Sequence, residues 1–359
     1  MERTLIADFD RGEGPKRTDP FEFPCSRYYG REPLIGKMKD GSLICFFLTG
    51  GPCEPHNQNV VVCSRSFDDG RTWTALETVF SHPYLGAWAT ELFLDGEHPM
   101  LVVSLYDADC PFRMLQTFVS YSDDCGGSWS APVMANGVMR TASIRKIIRL
   151  SNGELLYPVY YTVADDCFSW DHTQRLKPNW FRGAHHECAV CVSPDEGAHV
   201  YPCGHIAFER ENLWEPNCVE AEPGHVIMLL RHSRKPGYLG RCDSFDYGRT
   251  WGPYQLTDIP NADSKPTAFS VNGKLCVIAN FDCSVRRNLQ LRISSDGLRS
   301  WERIIPLDDP EALFTYPHVC VDLPGHMLYI AYENYKQHYL LKMRFDEAGL
   351  EEKAAARSR

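Results

Sequence analysis

SFDDGRTW, residues 66–73, decides the fold, because the same eight-residue pattern keeps returning. It is complete again as SDDCGGSW at 122–129 and SFDYGRTW at 244–251. It is worn at 193–200 (SPDEGAHV) and at 294–301 (SSDGLRSW, with the glycine one place early). In each copy Asp can cap local backbone N–H groups, Gly can take a positive φ, and Trp can plug the adjoining sheet. The pattern is a turn, and a turn repeated at intervals announces a repeat architecture.

Working outward from the boxes, a second signal precedes each one. A glycine bend followed by β-forming residues occurs at Gly41 (KDGSLICFF), Gly96 (LDGEHPMLVVSLY) and Gly153 (SNGELLYPVYY). It continues at Gly224 (EPGHVIMLLR), Gly273 (VNGKLCVIANF) and Gly325 (LPGHMLYIAYE), with 49 to 71 residues between successive glycines. These are hairpin bends with strands on both sides. Six such units, and no long amphipathic helix, predict an all-β chain forming a six-bladed β-propeller with four antiparallel strands per blade. The propeller is expected over residues 1–350, with 351–359 (EEKAAARSR) a frayed tail. The last hairpin has no box after it. The N-terminal TLIADF reads as the strand that completes that blade and closes the ring. The longest unit carries an insertion, Ala164 to Arg182, expected as a long loop forming a pocket wall or lid.

Composition narrows the function. Hydrophobic residues are 43% and charged residues 23% of 359, a globular balance. No apolar run is long enough for a membrane span, and MERTLIADFD lacks the apolar core of a secretory signal. A net charge of −10 argues against a nucleic-acid partner. Fifteen cysteines, an odd number, and the lack of any Asn-x-Ser/Thr acceptor point to the cytoplasm rather than secretion. The pattern carries no signature of an oligomeric state.

The innermost strand of each blade runs from the axis into the hairpin glycine. Residues nine or ten before each glycine should therefore form one ring. That ring reads Arg31, Ala87 with Trp88, Ser143 with Ile144, Glu215, Ser264 with Lys265, and Tyr316. Arg, Glu and Tyr at strand starts are a polar set suited to a site. Each residue alone also has an ordinary reading, an ion pair between blades or a core tyrosine. Trp88 and Trp214 read as sugar-stacking walls or as blade packing. Arg140 and Arg145 flank the third inner strand and read as a solvated face, with one of them within reach of the pocket.

With the boxes and these positions in hand, the chain resembles the sialidase (neuraminidase) superfamily of BNR or Asp-box propellers over nearly its whole length. The resemblance rests on Arg31-Glu32-Pro33, on Glu215 sixteen residues before Arg231, and on Arg286 in RRNL. Tyr316 before the last hairpin and Tyr332-Glu333 after it complete the set. It implies that Arg31, Arg231 and Arg286 clamp a substrate carboxylate by charge-assisted hydrogen bonds. It also implies that Glu333 holds Arg31, that Tyr316 is a nucleophile polarised by Glu215, and that no cofactor is needed. Sialidases are the tyrosine exception among retaining glycosidases, since a neutral phenol is not repelled by the anomeric carboxylate. The expected activity is an exo-acting glycoside hydrolase removing a terminal carboxylated sugar, a sialic acid or related keto-deoxy sugar acid, from an acidic oligosaccharide or glycoconjugate.

One element departs. The loop that carries a catalytic Asp in sialidases reads TGGPCEPHNQN, Thr49 to Asn59, and holds no Asp. Glu54 or His56 would have to act as the acid/base. A histidine there also suits a lyase acting on a uronic-acid linkage, resembling rhamnose–glucuronate lyases. A third reading is a carbohydrate-binding propeller without catalysis. The run from His185 to Cys191, followed by His199, Cys203 and His205, invites zinc. However, Cys188 and Cys191 lie three apart in a strand and so point to opposite faces, leaving no metal site. His185 or His186, after the insertion, reads instead as pocket-lining, and His186 is the one carried forward.

Overall fold

The computed structural model describes residues 1–9, 29–51, 54–108, 115–169, 182–206, 213–232, 237–334, 336–346 and 349–350; at 138, 164–169, 182–185 and 349–350 it describes the backbone path. The tail at 351–359 and most of the Ala164–Arg182 insertion lie outside these residues. Among them, no helix is long and apolar enough to cross a membrane.

Strands form because each unit alternates short apolar runs with glycine bends. The first blade comprises Arg31–Lys37, Leu43–Thr49, Val60–Ser66 and Glu77–Phe80. The second comprises Gly86–Phe93, Met100–Tyr106, Gln116–Tyr121 and Val133–Met134. In the third, the inner strand is broken into Ser143–Ile144 and Ile148–Arg149, followed by Leu155–Ser169, Arg182–Ser193 and Tyr201–Ile206. The fourth comprises Leu213–Glu222, His225–His232, Tyr238–Ser244 and Gln255–Pro260. The fifth comprises Thr267–Val271, Lys274–Asn280, Leu289–Ser294 and Arg303–Pro306. The sixth comprises Thr315–Asp322, Met327–Glu333 and Gln337–Asp346, with Glu2–Asp8 as its fourth strand. Glu2 pairs with Lys342 and Asp8 with Gln337, so the N-terminus closes the ring as the sequence suggests. Six four-stranded antiparallel blades make an all-β propeller.

The insertion differs from the expected loop. Ala164 pairs with Ala184 and Ser169 with Arg182, so the second and third strands of the third blade continue into it as a β-ribbon. The pairing is continuous from Leu155–Ser193 to Ala164–Ala184 and slips once before Ser169–Arg182.

Each box is the turn from third to fourth strand. In the first, Gly70 N–H donates to Ser66 Oγ at 2.8 Å, Ser66 Oγ to Asp68 at 2.8 Å, and Thr72 N–H to Asp68 at 2.9 Å. The worn fifth box keeps this geometry, with Leu298 N–H on Ser294 at 3.0 Å. Its displaced glycine is tolerated because two successive positions turn left-handed, Gly297 (φ 75°) and Leu298 (φ 65°), as Asp69 (φ 61°) and Gly70 (φ 81°) do. Each described box tryptophan packs at the seam with the preceding blade. Trp129 of the second blade, for instance, meets Phe46 of the first edge-on at 5.4 Å. Apolar clusters fill all the seams between neighbouring blades, including sixth to first, so burial itself holds the ring closed.

Candidate active site

Three inner strands share one device. Glu32, Glu215 and Tyr316 each precede a proline and each take a positive φ, 52°, 46° and 51°. The ladder slips at the same place, between Arg31 and Leu34, Trp214 and Asn217, and Thr315 and His318. Proline cannot donate to the ladder, so the strand bulges there and the bulge re-aims the side chain. Left-handed backbone at non-glycine residues costs about 1–3 kcal/mol each and collects at functional sites. All three sit nine residues before their hairpin glycine. Glu32, not Arg31, is therefore the ring counterpart of Glu215 and Tyr316.

Around these residues the site is a lattice of buried charge. Arg31 Nε donates to Glu333 at 3.0 Å, and its Nη1 lies 3.0 Å from Glu54. Arg231 Nη1 donates both to Glu215 Oε2 at 2.7 Å and to the Tyr316 hydroxyl at 2.9 Å, while its Nε pairs with Asp263 at 2.7 Å. Arg286 grips the Asp263 carbonyl through Nε and Nη2, at 3.1 and 2.6 Å. The guanidiniums of Arg31 and Arg286 lie 4.8 and 5.4 Å from the centre of the Tyr316 ring. Three arginines from the first, fourth and fifth blades thus converge on one tyrosine of the sixth.

The protonation of these groups follows from their neighbours. Burial pushes the Glu215 carboxyl up, but Arg231 and Arg145 outweigh it and hold it at about 2. Burial likewise raises Glu54, and the nearby Glu32 and Glu333 add to this; Arg31 opposes them incompletely, leaving Glu54 at about 7. Burial and the Glu215 charge push the Tyr316 phenol above its ordinary value, with Arg231 and Arg286 opposing. The chain therefore places two carboxyl groups with opposite tendencies beside one arginine cluster, the arrangement that separates an acid from an anion.

Arg31, Glu54, Glu215, Arg231, Arg286, Tyr316 and Glu333 come together, although they span the whole chain. No direct hydrogen bond joins Tyr316 to Glu215; Arg231 Nη1 stands between them, so the arginine polarises the phenol here. His56 lies on the same loop as Glu54, and its Nδ1 accepts the Gln58 N–H at 3.1 Å. Trp88 is 2% exposed and donates to Glu32 at 3.1 Å, with the Arg145 guanidinium 4.3 Å over its ring. It supports charged side chains instead of offering a face to a sugar. His186 is wholly buried, stacked on Trp214 at 3.9 Å, and so does not line an open pocket. Cys188 and Cys191 fall in different apolar clusters.

Arg145 corrects the sequence reading. It is not on a solvated face but 2% exposed, with Nη1 2.7 Å from Glu32 and Nη2 3.3 Å from Glu215. Lys265, 5% exposed, stands 5.6 Å from the Tyr316 ring, and burial lowers its ammonium against the pull of Glu32. The recurrent Xaa-Pro nine residues before the bend was the signal that could have found Glu32. No local signal marks Arg145.

The sequence profile described as BNR repeat-like domain matches residues 112–330. No curated protein matches the chain. Among solved structures, the Hadza microbial sialidase Hz136 superposes with a TM-score of 0.69 at 17% identity, covering 88% of this chain and 66% of that one, just under two thirds of its length. A protein of unknown function from Dyadobacter fermentans gives 0.70 at 17% identity, covering 95% and 97%. A mutant of the NanB sialidase from Streptococcus pneumoniae gives 0.66 at 13%, covering 93% and 71%. These likenesses establish a shared sialidase-like propeller fold.

Proposed function

The chain belongs to the BNR repeat-like domain family, and from that premise we propose that it is an exo-acting, retaining glycosidase that removes a terminal carboxylated sugar, with Tyr316 as nucleophile. The observation that carries this reading is the convergence of Arg31, Arg231 and Arg286 on Tyr316. A binding module has no use for a strained, buried tyrosine held between three guanidiniums.

The substrate carboxylate enters the arginine cluster and takes the Arg231 Nη1 donor from the phenol. Released, the Tyr316 hydroxyl turns to Glu215, which shares that same donor. Glu215 at about 2 is a weak base as it stands. The bound carboxylate neutralises part of the arginine field and raises its proton affinity. Tyr316 oxygen then bonds to the anomeric carbon while the glycosidic bond breaks. Glu54, protonated below about 7, gives its proton to the leaving oxygen. In the second half, Glu54 takes a proton from water, which displaces Tyr316 with net retention, and the proton on Glu215 returns to the phenol. Glu333 keeps Arg31 oriented throughout.

Glu54 is favoured over His56 because it touches Arg31 and is tuned near neutrality, whereas His56 Nδ1 accepts its own turn's N–H. We also propose a reducing compartment, in keeping with eleven described cysteines that are all free. The test is release of a fluorophore from a sialoside, run beside near-ultraviolet absorbance on uronic-acid oligosaccharides. Fluorescence with retained configuration supports the proposal. Absorbance alone replaces it with the lyase reading through His56, and silence with other acidic sugars as well leaves the binding propeller.

A further inference from the structure

Each guanidinium of the arginine cluster is held at its Nε by an acceptor of the chain itself. Arg31 Nε donates to Glu333 at 3.0 Å. Arg231 Nε donates to the Asp263 carboxylate at 2.7 Å. Arg286 donates to the Asp263 carbonyl, from Nε at 3.1 Å and from Nη2 at 2.6 Å. Two of the three arms therefore rest on one residue, the first by its side chain and the second by its main chain.

The backbone of Asp263 is left-handed (φ 52°), a conformation that Asp tolerates and that collects at functional sites. Asn261 closes the turn that carries it: its Nδ2 donates to the Ser264 carbonyl at 2.9 Å, and its Oδ1 accepts the Ser264 N–H at 3.0 Å. The same turn is tied to both neighbouring blades. Asn261 N–H donates to the Gly237 carbonyl at 2.8 Å, at the start of the fourth blade's third strand. Ser264 Oγ lies 2.6 Å from Oγ1 of Thr315, the residue before Tyr316. Asp263 is thus fixed relative to Arg231 and to the tyrosine. Burial works against the charge of Arg231, and Asp263 leads the carboxylates that restore it, ahead of Glu215. Arg231 Nη2 has no partner among the described residues. A planar guanidinium held at Nε presents its terminal nitrogens in a set direction, as a fork for a carboxylate. The Asp263 side chain is 46% exposed, and so open an ion pair adds little to folding, which leaves orientation as what it contributes.

We propose that Asp263 is the positioning residue of the arginine cluster, its carboxylate aiming Arg231 and its carbonyl aiming Arg286 so that both present donors to a substrate carboxylate beside Tyr316. The proposal rests on the glycosidase reading for the identity of that substrate. Its test is Asp263→Ala, which removes the hold on Arg231, beside Asp263→Asn, which keeps an acceptor for Nε and tolerates the left-handed backbone. In calorimetry with N-acetylneuraminate, Asp263→Ala should bind at least about tenfold more weakly than the wild type, the loss of one well-placed charge-assisted contact, and Asp263→Asn should stay within about threefold. In the ligand-free crystal structure of Asp263→Ala, Arg231 Nη1 should leave the Tyr316 hydroxyl, and in Asp263→Asn it should stay. Both variants should melt close to the wild type. Should Asp263→Ala not fold, Asp263→Gly, which suits the left-handed backbone, carries the same expectation. The proposal is overturned if Arg231 keeps its place without the carboxylate, if Asp263→Asn loses as much as Asp263→Ala, or if Asp263→Ala binds the sugar acid more tightly, which would make Asp263 a competitor of the substrate. A wild type that neither hydrolyses a sialoside nor binds the sugar acid overturns the glycosidase reading instead, and the position of Arg231 in the two variants still decides the role of Asp263.

Discussion

Arg145 of the third blade and Glu215 of the fourth meet at 3.3 Å with both side chains almost wholly buried. The other arm of Arg145 holds Glu32 of the first blade. One guanidinium thus balances two carboxylates from two other blades. Removing one partner of a buried pair leaves an uncompensated charge, at about 3–5 kcal/mol. Arg145→Gln should therefore lower thermal stability severely. Arg149→Gln, whose partners Asp95 and Glu196 are exposed, should cost no more than about 1 kcal/mol. Equal melting shifts for the two variants would refute this account of Arg145.

Tyr316→Phe keeps the ring, the bulge and the three arginines but deletes the oxygen that bonds to Arg231. Hydrolysis should drop by at least about 10³-fold, while binding of a sialic acid analogue that cannot be cleaved stays within about tenfold. Full activity in this variant excludes the tyrosine mechanism.

Glu54 sets the pH dependence. As the acid, it must be protonated, so kcat should fall as pH rises through about 7. The sign for stability follows from linkage. Between the ordinary value of 4.5 and about 7 the folded chain binds more protons than the unfolded one, so stability declines as pH rises across that window. Glu54→Gln removes the decline. It should match the wild type near pH 4 and exceed it at pH 8 by about 1–3 kcal/mol, with activity lost at both. Melting curves at the two pH values check this, and an Glu54→Gln variant less stable at pH 8 than the wild type would contradict it.

Ring closure can be probed at a box glycine. A Cβ on Gly70 would lie 2.4 Å from Leu340 of the sixth blade and would sit at φ 81°. Gly153 is as left-handed, at φ 90°, but has open space around it. Gly153→Ala should cost about 1 kcal/mol and Gly70→Ala about 2–4 kcal/mol, strain plus overpacking. Denaturant midpoints that rank them the other way would show that the sixth-to-first seam is slack.

The amino-acid sequence carried what lies within a few residues. Ser66, Asp68 and Gly70 make their turn among themselves, so the boxes could be read, and with the six glycine bends they determined blade number, strand order and the closing role of residues 4–9. The slots of Glu215 and Tyr316 follow from distance to the bend, and in the first blade that distance belongs to Glu32, one residue past Arg31. The tertiary structure alone decided which side chains meet. Arg31 and Glu333 are 302 residues apart and Arg145 and Glu32 113, and both contacts exist only because the sixth blade docks on the first and six inner strands share one axis. A turn is set by local backbone chemistry, whereas a charge lattice is set by ring closure, which no window of sequence contains.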